Sequence, residues 1–97
     1  MSQFMAEFSL PIYWTEEFTA RIPAQRQKVN TLLRAGKVAS YALATDHTKV
    51  WCVLNADSET EALSIIAEFP LIDFVEPRIY ELQFNNVVAK LPIFSVN

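Results

Sequence analysis

The sequence of 97 residues contains one glycine, one cysteine and one histidine, and each scarcity excludes a class of site. A single cysteine excludes an intramolecular disulfide. One cysteine and one histidine cannot form the usual zinc sites, which leaves carboxylates as the only abundant metal ligands. One glycine excludes the glycine-rich loops that surround nucleotide phosphates. The composition thus argues against zinc sites and nucleotide-binding loops, and it leaves a carboxylate-bound metal open.

Basic residues and long apolar runs are also scarce. Eight lysines and arginines against eleven acidic residues give a formal net charge of −3 at pH 7. This balance lacks the positive charge that nucleic-acid-binding proteins use. No apolar run approaches the roughly 18 residues of a membrane span, and the first residues lack the pattern of a secretory signal. We therefore predict a cytoplasmic protein that binds neither nucleic acid nor membrane.

Hydrophobic residues, in contrast, make up 52% of the chain, whereas charged residues make up only 20%. A single domain of this length buries roughly two-thirds of its surface, so the apolar content exceeds what a small monomer readily hides. The predicted strands are largely apolar on both faces, and helices can cover only one of them. The sequence therefore predicts a homodimer or higher homo-oligomer in which sheets pack on each other.

The stretch from Gly36 to Ala56 predicts an antiparallel β-hairpin. Two runs of β-forming residues, 38–44 and 50–54, flank the polar segment Thr-Asp-His-Thr-Lys at 45–49. Aspartate and threonine favour turns, whereas the flanking runs fit a pleated and half-buried surface. The other predicted elements precede or follow this hairpin in the chain.

The segment before the hairpin predicts a helix that begins after Thr15 and ends at Gly36. Thr15 is a favourable N-cap, and the two glutamates that follow it stabilise the positive end of the helix dipole. Pro23 cannot donate a helical hydrogen bond, so we expect a kink or a restart near Ile22, with the proline in the first turn of the longer part. Glycine at the end suits a helix C-terminus.

A second helix and two outer strands complete the predicted fold. Ser58 and Glu61 have the spacing of a capping box, and Pro70 ends the helix. Alternating residues predict strands over 3–10 and 78–84. The order βαββαβ predicts an α+β, ferredoxin-like fold, in which two helices cover one face of a four-stranded antiparallel sheet.

Three parts of this sequence resemble the muconolactone isomerase family of small dimeric α/β-barrel proteins: the hairpin after Gly36, the Ser-capped helix and the segment Phe69-Pro-Leu-Ile-Asp-Phe74. The resemblance covers most of the chain, and we treat 1–97 as a single domain. It implies that the open face of each sheet packs against another subunit's sheet. It also implies a pocket near that boundary, where a lactone undergoes a proton shift without a cofactor. In that family the strand that reads Ala39 to Leu43 here carries basic, histidine and tryptophan side chains, which are absent from this one.

Glu7 and His47 are the candidate catalytic residues. Glu7 lies in the middle of the first predicted strand, where desolvation would raise the pKa of its carboxyl toward the range useful for moving a proton next to a carbonyl. Its alternative role is an ion pair or an exposed carboxylate at an oligomer seam. His47 follows Asp46, and an Asp-His pair orients an imidazole for acid-base catalysis, although both residue types also suit a plain turn.

Five further residues are candidates for substrate binding: Gln25, Tyr41, Trp51, Arg78 and Tyr80. Gln25 lies in the apolar sector of the first helix, so it either lines a pocket between helix and sheet or bonds a nearby backbone group. Tyr41 and Trp51 flank a pocket, or they fill the core or an interface. Arg78 and Tyr80 share a strand face, where they bind a carboxylate or lactone oxygen, or form an ion pair and a packed ring.

Two hypotheses for function follow. The first is a cofactor-free isomerase-like enzyme that shifts a proton in a small lactone or related carbonyl acid. The alternative is a non-catalytic module for small-molecule binding or assembly. A Glu7 carboxylate inside a closed cavity favours the enzyme, whereas one at a solvated seam favours the module. The apolar tail at 85–97 is predicted to dock on a neighbouring subunit, because only burial offsets the entropy lost when a tail is ordered.

Overall fold

The computed structural model describes residues 2–88, and it confirms the predicted ferredoxin-like α+β fold. All strand pairs of the four-stranded sheet are antiparallel, and the strands lie in the order β2-β3-β1-β4. In chain order the elements are β1 (Ser2–Ser9), α1 (Glu16–Ala20), α2 (Ile22–Arg34), β2 (Val38–Leu43), β3 (Lys49–Ala56), α3 (Glu59–Ala67), a 3₁₀ helix (Ile72–Phe74) and β4 (Glu76–Leu82).

The first predicted helix is divided into α1 and α2, as the position of Pro23 indicated. The Thr15 hydroxyl caps α1 by accepting a hydrogen bond from the backbone N–H of Phe18 at 3.1 Å. A single residue, Arg21, separates the two helices, and Pro23 lies in the first turn of α2. Gly36 follows α2 with a φ of +77°, a conformation that glycine adopts at little cost.

The hairpin of β2 and β3 is confirmed, and β2 lies at one edge of the sheet. A change of register between Val38 and Ser40 interrupts the β2–β3 pairing. In the turn, the Asp46 carboxylate accepts hydrogen bonds from the backbone N–H and the hydroxyl of Thr48, at 3.0 and 2.7 Å. His47 has a φ of +63°, which is uncommon for a residue with a side chain.

The last helix and strand differ from the prediction in two details. The Ser58 hydroxyl accepts from the backbone N–H of Glu61 at 3.1 Å, as a capping box requires. The Glu61 carboxylate, however, accepts from the N–H of Asp57 at 2.7 Å instead of returning to Ser58. Strand β4 begins at Glu76, two residues before the predicted start, because the 3₁₀ helix already ends at Phe74.

The core lies between one face of the sheet and the helices α2 and α3. Phe4, Ala6 and Phe8 of β1 are at most 2% exposed and belong to one apolar cluster with residues of both helices. The residues between them, Met5 and Glu7, lie on the opposite face and are only half-buried. We call the first the helix face and the second the open face of the sheet.

The predicted docking tail lies mostly outside the described residues. Its first part, 85–88, follows β4, and Val87 and Val88 are each 75% exposed. Residues 89–97 lie outside the described range, so docking on a neighbouring subunit stays a prediction. Between residues 2 and 88, no helix has the length and apolar character needed to cross a membrane.

Candidate functional site

A cavity of about 480 Å³ lies between the helix face of the sheet and the helices α1 and α2. One stripe of α2 lines it at helical spacing, from Ile22 through Val29 to Leu33. Most of its walls are apolar, which is typical of small-molecule sites. The polar or charged side chains that line it are Gln25, Arg26, Asn30, Tyr41 and His47.

Gln25 is buried at the inner side of this cavity, with 5% of its surface exposed. Its Nε2 donates a hydrogen bond to the Tyr41 hydroxyl oxygen at 3.2 Å. Its Oε1 accepts from the backbone N–H of Leu71 at 3.1 Å, which orients the amide. The Gln25 amide therefore has the hydrogen-bond partners that a buried polar group needs. Through them it joins α2 to β2 and to the loop after α3.

Tyr41 presents its hydroxyl to the same cavity from β2. Burial raises the pKa of the Tyr41 phenol above its ordinary value, while the hydrogen bond from Gln25 acts in the opposite direction. The hydroxyl is therefore protonated at neutral pH. The hydroxyl accepts from Gln25 and donates to no side chain or backbone group among residues 2–88, so its proton is available to a ligand. Tyr41 is thus a hydrogen-bond donor in largely apolar surroundings.

His47 reaches the cavity without the predicted help of Asp46. Its ring stacks on Trp14, with 5.3 Å between centroids and 18° between planes, and both side chains line the cavity. The Asp46 carboxylate instead bonds Thr48, and these bonds lower the pKa of Asp46. The predicted Asp-His catalytic pair is therefore absent, and the imidazole is positioned by Trp14 and by the turn.

Arg26 and Asn30 are lining residues that sequence reasoning did not assign to the site. They are four residues apart on α2, so they lie on the same side of the helix. The structure shows four ion pairs among residues 2–88, and Arg26 takes part in none of them. The described lining contains no aspartate or glutamate. Arg26 therefore gives the cavity its one full positive charge among the lining residues that the structure describes.

Glu7 belongs to a different group of side chains, on the open face. Its carboxylate accepts from Lys49 Nζ at 3.2 Å and from Trp51 Nε1 at 3.3 Å. The bond from Lys49, followed by that from Trp51, lowers the pKa of the Glu7 carboxyl. Desolvation does act to raise this pKa, but the expected net rise is wrong, because a cation and an indole donor outweigh the loss of water.

The sheet divides the seven predicted site residues into two groups. Gln25, Tyr41 and His47 line the cavity on the helix face. Glu7 pairs in register with Trp51 and Arg78, and Tyr80 lies opposite Met5, so these four candidates share the open face. Within one chain, the proposed proton carrier Glu7 and the proposed ligand-binding residue Gln25 are therefore not in one site. Residues 2–88 contain no group of three or more His, Cys, Asp or Glu side chains suited to a metal ion.

Comparison with known proteins connects this geometry to a described fold. A crystal structure of muconolactone isomerase superposes with a TM-score of 0.70 over 92% of this chain and 96% of that chain. The chain has the muconolactone isomerase fold. The sequence identity to muconolactone isomerase is 14%, so the likeness concerns the fold alone. No family model matches the sequence, and the curated proteins contain no match.

Proposed function

We propose that the protein binds a small carbonyl acid in the cavity on the helix face. The observation that carries this proposal is the Tyr41 hydroxyl, whose oxygen accepts a hydrogen bond from Gln25 at 3.2 Å while its proton remains available. A carbonyl oxygen is the complementary acceptor. In apolar surroundings such a bond also orients the ligand, because an unpaired polar atom there is costly.

The charge of the cavity favours a ligand with a carboxylate. Arg26 lines the cavity as a cation outside the described ion pairs. Guanidinium groups bind carboxylates through two parallel hydrogen bonds. A ligand with a carbonyl oxygen on Tyr41, an apolar body and a carboxylate near Arg26 would use each kind of group that the cavity offers.

Calorimetric titration with 5-oxotetrahydrofuran-2-carboxylate, a small lactone acid, tests the proposal. The substitution Tyr41→Phe keeps the ring and removes the donor, so it should weaken binding about 2- to 10-fold, the effect of one neutral hydrogen bond. The matched control is Tyr80→Phe, which changes a tyrosine on the open face. Equal losses in the two variants, or binding unaffected by Tyr41→Phe, would contradict the proposal.

A second candidate function is a proton shift in the bound ligand, and the position of His47 favours it. Its imidazole lines the same cavity as the Tyr41 hydroxyl. In the proposed step, His47 removes a proton from a carbon adjacent to the carbonyl, and Tyr41 stabilises the enolate oxygen. Where the ligand has a carbon–carbon double bond next to that carbon, the enolate is conjugated, and the imidazolium returns the proton to the far carbon of the former double bond, so that the double bond shifts toward the carbonyl. No electron is gained or lost, so the isomerisation needs no redox cofactor.

Proton exchange in deuterated water separates this reaction from binding alone. A lactone acid incubated with the protein in D₂O should gain deuterium next to the carbonyl, which proton NMR measures as loss of signal. The substitution His47→Asn removes the base and suits the positive φ of this position. Exchange should then fall at least about a hundredfold while the affinity for the ligand is retained. Full exchange in His47→Asn would exclude this mechanism.

The open face supports a different proposal, association with a second copy of the chain. Trp51 and Tyr80 are 37% and 47% exposed there, beside the half-buried Met5. A Glu7 carboxylate paired at such a surface matches the assembly hypothesis. Sedimentation equilibrium at micromolar concentration should show a dimer, and Met5→Lys should shift it toward monomer. A stable monomer of the native protein would contradict this proposal.

The cytoplasmic location stays a prediction.

A further inference from the structure

Several of the side chains that line the cavity carry rings. Six of its lining side chains carry one, from six different parts of the chain: Phe8, Trp14, Phe18, Tyr41, His47 and Phe69. Aliphatic side chains would give the same apolar character without flat surfaces. Rings also attract other rings through the charge distribution of their faces and edges, in addition to the area they bury. The ring content therefore carries information about the ligand.

Contacts between these rings form two groups. Trp14 is the centre of the first, with Phe18 at 4.8 Å and His47 at 5.3 Å between centroids. Phe69 is the centre of the second, with Phe8 at 5.7 Å and Tyr41 at 6.4 Å. Because each ring is held by another, its orientation is fixed before a ligand arrives. Such preorganised surfaces lose little entropy on binding.

The size of the cavity favours a ligand larger than a single small ring. Its volume of about 480 Å³ lies within the roughly 300–1,000 Å³ of small-molecule sites. The cavity is partly open to solvent beside Arg26, Leu33 and His47, and a ligand with one small ring would leave part of its apolar walls in contact with water. Two fused rings would displace more of that water. They would reach Trp14 and His47 of the first group and Tyr41 of the second, since Phe8, Phe18 and Phe69 are at most 4% exposed.

We infer that the ligand of this cavity is a planar, conjugated carbonyl acid with two fused rings. The inference rests on the proposed binding of a carbonyl acid and not on the proton shift, and it specifies the class of the bound ligand. The flat faces of such a compound match the ring-lined walls, and its carbonyl oxygen accepts from Tyr41. A saturated compound with the same functional groups is puckered, so it makes fewer contacts with the faces and edges of the rings.

Two probes of equal skeleton test the inference by calorimetric titration of the full chain. The first is coumarin-3-carboxylate, a planar aromatic lactone acid, and the second is its fully saturated analogue, which keeps the lactone and the carboxylate. The aromatic probe should bind at least about fivefold more tightly, since one or two ring contacts contribute this much beyond buried area.

A pair of tryptophan variants locates the effect. Trp14→Leu removes a ring from the cavity wall, whereas Trp51→Leu makes the same change on the open face of the sheet. We expect Trp14→Leu to remove most of the preference for the aromatic probe, and Trp51→Leu to leave it unchanged. Circular dichroism melting confirms that both variants are folded at the titration temperature.

The outcomes separate the inference from the function on which it rests. If the two probes bind equally, or the saturated one binds more tightly, and Tyr41→Phe weakens both, the ring-based inference is overturned while the carbonyl-acid site stands. If neither probe binds at millimolar concentration and the single-ring lactone acid also fails, the proposed function itself is overturned. A preference that survives Trp14→Leu unchanged contradicts the inference as well.

Discussion

On the helix face of the sheet, Phe4, Ala6 and Phe8 are almost fully buried, whereas Met5 and Glu7, which alternate with them, are only half-buried on the open face. The helix face holds a neutral donor, Tyr41, whose pKa is raised by burial. The open face holds a carboxylate whose pKa is lowered by a cation and an indole. The same strands thus provide two environments with opposite effects on ionisation, because burial disfavours the charged form of Tyr41, whereas Lys49 and Trp51 favour the charged form of Glu7.

The largest difference between the two faces should appear in core packing. Phe4→Ala removes a ring that is 1% exposed, and it should lower the free energy of unfolding by about 3–5 kcal/mol. Tyr80→Ala, on the open face, should cost less than about 1.5 kcal/mol in the monomer. Urea unfolding measures both values. Similar losses at the two positions would show that the open face is packed as tightly as the core.

Removal of the buried amide should have the next largest effect. Gln25→Leu leaves the N–H of Leu71 without its 3.1 Å partner inside the protein, which should cost about 1–3 kcal/mol of unfolding free energy. Gln27→Leu makes the same change at an exposed position of α2 and should stay within about 0.5 kcal/mol. Equal stability of the two variants would mean that the network around Tyr41 contributes nothing to folding.

Alkaline pH should lower the stability of the fold through ionisation of Cys52, which is buried on the helix face. Burial raises the pKa of this thiol from its ordinary 9.0 to about 12, so the unfolded chain loses the proton first. Stability is therefore complete below pH 9 and falls as the pH rises toward 12. Between pH 8 and 10.5, Cys52→Ala should lose about 2 kcal/mol less than the native protein under reducing conditions. Parallel curves for the two proteins would disprove this contribution.

Acidic pH should reveal a smaller contribution to stability from Glu7 on the open face. The folded-state pKa of Glu7 lies below its ordinary value of 4.5, so its contribution is present above that pH and is lost as the pH falls through the folded-state pKa. Glu7→Gln should therefore flatten the acid limb of the stability curve. Lys49→Met, which removes the main cause of the shift, should flatten it similarly. If neither variant changes this limb, the Glu7–Lys49 pair does not stabilise the fold.

The fold was predictable from the sequence because its main signals are local. Thr15, Pro23, Gly36 and Ser58 each act on backbone groups within a few residues of themselves, so neither the start of a helix nor its interruption depends on distant contacts. The hairpin is equally local. The boundaries of β4 were less predictable, since the 3₁₀ helix before it depends on how the loop after α3 packs.

The candidate site was predictable only in part. Gln25 was identified because a polar group in an apolar pattern needs a partner, and Tyr41 because an aromatic side chain on a strand flanks a pocket or fills the core or an interface. Glu7 was placed with them because both faces of β1 carry apolar residues, and alternation does not reveal which face the helices cover. Trp14 and Arg26 were missed, since their position at the cavity depends on how α1 and α2 lean on the sheet. The one available signal for Trp14 was its place before the N-cap Thr15, where an apolar residue often packs on the following helix.

The two hydrogen bonds of Gln25 have a consequence for the order of folding. One spans 16 residues to Tyr41, and the other spans 46 residues to Leu71. During synthesis the first can form once the hairpin emerges, but the second must wait until α3 and the loop behind it are complete. Contacts of such long separation form late because closing the intervening chain costs entropy. A ligand that requires the Gln25 amide in the orientation held by Leu71 therefore binds only the complete fold, and by mass action it stabilises that fold against unfolding.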